Sequence, residues 1–575
     1  MCGKHPVVSA FVLSLAVAAF AGAAYCAEQP DAAPVTAPAV TSVTQFTHDG
    51  ITKTSLVSDD SHLYVTEWSA ARHLVTKYSI DGAEHAAVPS TFNDFQAIDI
   101  SPDHSNLLIT PMQGSADAEL WSLPLNAGAP HKLGALTGRD ASWSADGSHL
   151  TYGKGSSLYI ANADGTAARE VFTAEGSVFA PHLSVDGKRI RFTVSNVALN
   201  TTGLWEVNSD GSNPHALLNH WQHASTACCG GWTADGRYYI FQVTETSPTT
   251  VTTLWALPDS ANAAHNAPFQ LTTGPMSFGN ASMSRDSNRI WAIGVQPSGE
   301  AVKYDGASKK FVSLLSGVSA TDLDFSADGK WATYVAVPDG TLWRCRADGS
   351  DRRQLTSAPD RTALPRWSPD GSQIAYVSMQ LGKPWKISTI SRDGGSAQDI
   401  LVENHGQIDA NWSSDGSQIM FGYLRVEGGG NIRVVNLGTH EVKTVPGSDG
   451  LFSPRWSPDG RYIAALSIDN TKVMLFDYKT QKWSKWLEEA AGAVSYPVWS
   501  ADSKYIYFDD LVTDEESMRR VKVGSRHTEK VLKLEGIERY PGPFGLWSGR
   551  MPDGSSMFIR DRSAQEVYQL SVVLP

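Results

Sequence analysis

The chain has 575 residues and a formal net charge of −13, with 18 Trp, 49 Gly and 29 Pro; aromatic residues make up 10 % and charged residues 19 %. That length exceeds one ordinary domain, and the acidic balance argues against nucleic acid as a partner, because phosphate binding wants a basic surface. Few charges, many turn formers and many aromatics point to β structure rather than a helical bundle or a disordered chain.

The N-terminus predicts export. Lys4 precedes an apolar run from Val7 to Phe20, and small residues follow from Ala21 to Ala24. This is the pattern of a signal peptide over residues 1–26, too short to read as a membrane span. Cys26 invites a lipoprotein reading, but Tyr25 is bulky where a small residue should precede a lipidated cysteine. A Pro/Ala-rich linker over 27–42 follows, and no later apolar run approaches a span. The expected mature product is periplasmic or secreted, without a transmembrane segment. Beyond the leader remain Cys228, Cys229 and Cys345. An odd number excludes a multi-bridge framework. The adjacent pair reads as buried thiols near a loop, with a vicinal disulfide as the alternative.

From residue 43 onward the chain repeats. The clearest copies are Pro365-Arg366-Trp367-Ser368-Pro369-Asp370-Gly371, Asn411-Trp412-Ser413-Ser414-Asp415-Gly416 and Pro454-Arg455-Trp456-Ser457-Pro458-Asp459-Gly460. Weaker copies centre on Asp60, Asp103, Asp146, Asp186, Asp235, Asp286, Asp328, Asp502 and Asp553. The spacing averages about 45 residues, the length of one four-stranded propeller blade. In each copy an apolar strand ends in an aromatic or Leu, and Ser-x-Asp-Gly turns the chain: Asp accepts backbone N–H bonds and Gly takes a positive φ. A second strand, a variable loop, a third strand often opened by Leu-Trp, a second Asp-Gly turn and a fourth strand complete the unit. A lone blade cannot bury both faces, so neighbours must stack. Each Trp can bury ~150–250 Å² between blades and belongs to the core.

Twelve blades exceed the usual ring of four to eight. The expected fold is therefore all-β, two tandem six-bladed β-propellers over residues 43–306 and 307–575. Val43–Thr47 reads as a fourth strand completing blade six, and Phe311–Leu315 as one completing blade twelve. The rival closure uses the first strand for blade twelve and joins the rings by two crossings.

The Pro-x-Trp-Ser-Pro-Asp-Gly copies resemble the WD40-like repeats of TolB and of the propeller domains of oligopeptidase-type and tricorn-type proteases. The Cys228–Tyr238 block and the run from Asp324 to Thr356 resemble the propeller half of bacterial winged-helix regulators. The leader leaves no room for a DNA-binding domain, so the resemblance implies the fold and a scaffold or sensing role.

No Gly-x-Ser-x-Gly elbow, His-Glu-x-x-His or phosphate-cradling loop occurs. The Asp-Gly turns lack calcium-loop spacing, and no cofactor is expected. Both Asp-Gly turns fall on one face of each ring. The variable loops, such as Ser195–Gly203, Met379–Pro384 and Asn219–Gly231, fall on the other, which makes that face the expected site. His182, His220, His223 and His405 are placed there as candidate binding residues, too scattered to read as a metal site. Arg366 and Arg455 start near the channel, where each can grip a carboxylate or peptide terminus or pair with a neighbouring blade's aspartate. The expected function is a non-catalytic scaffold or sensor that binds a protein, peptide or glycan. The alternative is a propeller enzyme of lyase, lactonase or glycosidase type working at the central channel.

Overall fold

The structure is a computed structural model that describes residues 37–575, apart from 70–71, 113–116, 127, 247–249, 260–266, 425–428, 489–493 and 511–515. The segment read as a signal peptide and most of the segment read as a linker lie outside the described residues. The fold is all-β. Among the described residues are twelve four-stranded antiparallel sheets, one two-stranded hairpin at Pro541–Leu546 and a single 3-10 turn at Val197–Leu199. No described helix is long and apolar enough to cross a membrane.

We number the sheets by their first strands. Sheets 1–6 begin at Thr52–Ser58, Phe95–Ile100, Asp140–Trp143, Ser177–Leu183, Ala227–Trp232 and Ser277–Met283. Sheets 7–12 begin at Ala320–Phe325, Arg361–Trp367, Gly406–Trp412, Leu451–Trp456, Val494–Trp499 and Ser548–Arg550. First strands of consecutive sheets lie against one another in two closed series, the first and the second cycle: sheet 6 returns to sheet 1, and sheet 12 to sheet 7.

The Ser-x-Asp-Gly turn makes each unit. In sheet 8, Ser368 Oγ donates to Asp370 Oδ1 at 2.6 Å, and Ser372 N–H donates to the same oxygen at 3.0 Å. Gly371 N–H closes on Ser368 O at 2.9 Å with a φ of 67°, the left-handed region that favours glycine. These donors hold the Asp370 carboxyl down at about 2. Tryptophans then tie sheet to sheet. Trp412 Nε1 donates to Arg366 O at 3.1 Å and Trp499 Nε1 to Arg455 O at 2.9 Å.

The closing sheets depart from a cut at residue 306. Sheet 6 takes its third strand from the C-terminus, Ala564–Val573, and its fourth from the N-terminus, Ala39–Gln45. Sheet 12 takes its third and fourth strands from Gly299–Asp305 and Lys310–Ser313. The two expected fourth strands are thus paired where the repeat placed them, while the third strands are exchanged. The chain crosses between cycles at 297–298 and again at 562–563. The crossings are bonded side by side: Ser298 N–H donates to Ser563 Oγ at 3.0 Å, and Arg562 N–H to Ser298 O at 2.8 Å. The N-terminal strand begins at Ala39, inside the segment read as linker.

Candidate functional site

One position recurs in every sheet of the second cycle: the residue four before the turn aspartate. It is Asp324, Arg366, Asn411, Arg455, Val498 and Gly549 in sheets 7–12. All six line one cavity of about 320 Å³, together with turn residues such as Ser368, Pro369, Ser414 and Pro458. The cavity therefore opens among the Ser-x-Asp-Gly turns, not among the variable loops where the sequence placed the site. At the other end of the channel the Pro541–Leu546 hairpin reaches across. Tyr496 Oη donates to Phe544 O at 2.8 Å, and the Phe544 ring packs edge-on against Trp385 at 5.2 Å.

Local backbone aims these side chains. In sheets 7–11 the first strand breaks register just before the site position. The residues Asp322, Leu364, Asp409, Ser453 and Tyr496 there have φ between 46° and 57°. Such a bulge twists the strand and re-aims the side chains after it. The neighbouring sheet then fixes the site residue: Asp324 Oδ2 accepts Trp367 N–H and Asn411 Oδ1 accepts Trp456 N–H, both at 2.7 Å.

The two sequence-predicted arginines are brought together. Arg455 Nη2 lies 2.8 Å from Asp409 Oδ2, and Nη1 donates to Pro454 O at 2.9 Å. Ser453 Oγ also donates to Asp409 Oδ2, at 2.6 Å. Arg366 Nη2 is 3.8 Å from Asp409 Oδ1, an oxygen with no hydrogen bond, and its side chain is 15 % exposed against 6 % for Arg455. Arg366 Nη1 donates to Pro365 O at 3.0 Å in the same way, so the two differ at Nη2: Arg455 spends it on Asp409, whereas Arg366 keeps it for the cavity. Burial pushes the Asp409 carboxyl up, but Arg455 and Arg366 outweigh it and leave it below the usual range. Burial raises Asp324 and lifts Asp322, behind it in the channel, to about 6, with Arg366 opposing both. Trp547 Nε1, which also lines the cavity, is buried and has no acceptor.

The histidines do not converge. His182 occupies the same position in sheet 4, within the first strand rather than a variable loop, and burial holds it below its usual value. His223 packs on Trp221 and Trp255 at 5.0 and 5.6 Å, and His405 leans on Tyr423 at 5.0 Å. His220 is exposed two residues after Leu218. Among the described residues no three His, Cys, Asp or Glu side chains gather as a metal would need. A second cavity of about 370 Å³ lies between sheets 1 and 6, but its polar groups are bonded to one another. There Tyr78 Oη is 2.7 Å from Glu67 and 3.2 Å from Asp49, and Lys53 Nζ is 2.6 Å from Asp49.

In the first cycle the same position holds Asp99, which sequence reading passed over. Asp99 Oδ2 accepts Trp143 N–H at 2.7 Å, and burial with the nearby Asp140 charge lifts its carboxyl to about 7. Asp140 Oδ2 accepts Ala180 N–H at 3.1 Å and is lifted by burial to about 6. The signal that would have found Asp99 is the fixed offset of four from the turn aspartate, whereas Asp140 stands six before Asp146, the offset that Asp322 and Asp409 have in the second cycle. Cys228 and Cys229, read from sequence as buried thiols, are instead joined as a vicinal disulfide and half-buried. The pair sits at the register break of its strand, where Cys229 has a φ of 56°.

No family model matches the chain. A TolB homologue of Chlorobium chlorochromatii is 31 % identical over 211 residues, 35 % of this chain and 41 % of that protein. An uncharacterized peptidase, YuxL of Bacillus subtilis, is 29 % identical over 111 residues, 18 % of this chain and 17 % of that protein. The chain therefore spans less than half the length of either relative. Among solved structures, TolB from Acinetobacter baumannii aligns with a TM-score of 0.32 at 16 % identity, covering 58 % of this chain and 82 % of that one. The repeats are TolB-like, as their turn motif implied.

Proposed function

We propose that this chain is an exported envelope protein of two six-bladed propellers, whose second channel binds an extended segment of another envelope protein. The observation that carries the reading is the convergence of six equivalent positions, one per sheet, on a cavity that opens at the turn face. Its wall alternates hydrogen-bond character: Asp324 accepts, Arg366 donates, and Asn411 does both. A peptide in extended form presents the complementary alternation of N–H and C=O groups. Arg366, held 3.8 Å from a carboxylate oxygen rather than bonded to it, is positioned to take a carboxylate side chain or chain terminus as a fork. Arg550, also in the wall, stacks over Tyr507 at 3.7 Å and adds positive charge at the rim. The likeness to TolB repeats and the signal-peptide pattern support an envelope location and a protein ligand.

The test is recovery of a partner from solubilised cell envelopes by wild-type protein and by Arg366→Glu. The expected result is a discrete protein retained by the wild type and lost by the variant, with unchanged circular dichroism. Equal recovery by both contradicts the reading.

A further inference from the structure

The Cys228–Cys229 disulfide has no stabilising task of the usual kind. A disulfide stabilises mainly by closing a loop in the unfolded chain, and a bridge between neighbours closes almost none. Cys345, the only other cysteine among the described residues, is buried in the second cycle. The bonded pair lies on the first strand of sheet 5, at the channel wall of the first cycle, and both residues are half-buried rather than sealed in the core as Cys345 is.

The pair is also wired to its surroundings. Cys229 N–H donates to Thr193 Oγ1 of sheet 4 at 3.0 Å. Gln242 Nε2 donates to Cys228 Sγ at 3.2 Å, and Gln242 Oε1 accepts Asn280 N–H of sheet 6 at 3.2 Å. Asn280 Nδ2 in turn donates to Thr54 O of sheet 1 at 3.0 Å. The Cys228 sulfur thus heads a line of hydrogen bonds through sheets 5, 6 and 1, while the Cys229 backbone ties the pair to sheet 4. Sheet 6 is the sheet that both chain termini seal and from which both crossings leave.

We infer that Cys228–Cys229 is a thiol-exchange site, reduced by a dithiol, whose state sets how firmly sheet 6 is held. A thiolate of the dithiol attacks one sulfur and forms a mixed disulfide. The second thiol of the donor resolves it, so the donor leaves as a disulfide and both cysteines become thiols: two electrons and two protons are transferred. The freed Cys228 side chain turns away from Gln242, and the Gln242–Asn280 link loses its anchor.

The experiment uses the full mature chain with dithiothreitol as the dithiol. Native protein is reduced, alkylated with iodoacetamide and weighed by mass spectrometry, and hydrogen exchange is followed in parallel. The expected result is two alkyl groups on the Cys228–Cys229 peptide and none on Cys345. Amide exchange across Ser277–Met283 and Ala564–Val573 is expected to run roughly two- to tenfold faster, the worth of one hydrogen bond. The second cycle is expected to be unchanged. Cys228→Ser with Cys229→Ser should show the fast exchange without reductant and ignore dithiothreitol. Alkylation only after denaturation overturns the inference, as does unaltered exchange in sheet 6 or loosening spread over both cycles. Because the wild-type measurement needs no substitution, a variant that fails to fold does not remove the test.

Discussion

At the scale of single residues, the second channel separates two arginines that look alike in sequence. Arg455 and Asp409 are both nearly fully buried and 2.8 Å apart, so removing the carboxylate strands a cation in the interior. Asp409→Ala is expected to cost roughly 3–5 kcal/mol in denaturant unfolding. Arg366 is more exposed and 3.8 Å from the same carboxylate, which Arg455 still pairs, so Arg366→Ala is expected to cost less than Asp409→Ala, roughly 1–2 kcal/mol, while abolishing ligand capture. Asp99 makes a prediction in pH. Its folded carboxyl titrates at about 7 against an ordinary 3.8, so the folded chain keeps a proton that the unfolded chain releases. Stability is therefore highest below about pH 4 for this group and declines as pH rises through 7. Asp99→Asn keeps an acceptor for Trp143 N–H and removes the charge. It is expected to raise stability at pH 7.5 by roughly 1–3 kcal/mol and to flatten the profile between pH 6 and 7. The decline from pH 4 to 6 should remain, because Asp140, lifted to about 6, still titrates there.

At the scale of the element, the repeat unit was legible because its parts obey local rules. The turn aspartate, the positive-φ glycine and the terminal tryptophan each follow from backbone chemistry within a few residues and stand where the spacing places them in the clear copies; in sheet 1 Asp59 rather than Asp60 accepts the turn N–H groups, and Asp60 takes the positive φ. The tryptophan's second role was not legible, since its Nε1 bonds a carbonyl one sheet away. Trp412→Phe keeps the ring area but loses the bond to Arg366 O, and is expected to cost roughly 0.5–1.5 kcal/mol in thermal unfolding. The same holds for the site. The sequence brought Arg366 and Arg455 forward as residue types, but their inward aim depends on the bulges at Leu364 and Ser453, which no motif marks. Turn loops are short and stereotyped, so reasoning from loop variability looked to the opposite face. The repeated geometry of the turns instead brings five side chains and Gly549 to one opening. The state of Cys228 and Cys229 was not legible either, since adjacency alone allows a bonded pair or two thiols.

At the scale of the whole molecule, strand type was readable but strand ownership was not. Gly299–Asp305 and Ala564–Val573 are both third strands by pattern, and either can serve either closing sheet. The choice is made by tertiary pairing: the second cycle runs unbroken from Gly299 to Asp561, and the first takes Ala564–Val573 from beyond it. A chain ending at residue 561 lacks the third strand of sheet 6, so its N-terminal strand has no partner. Such a chain is expected to lose the first cycle's protection in hydrogen exchange while the second cycle keeps its own. The central functional claim concerns which face of the second cycle meets a ligand. A photo-crosslinking residue placed at Asn411, in the cavity, and another at Val402, which is 91 % exposed on a loop between sheets 8 and 9, probe the two faces in living cells. A ligand in the turn-face cavity gives a discrete protein adduct from position 411, abolished by Arg366→Glu, and none from position 402. An adduct from position 402 alone would contradict that claim.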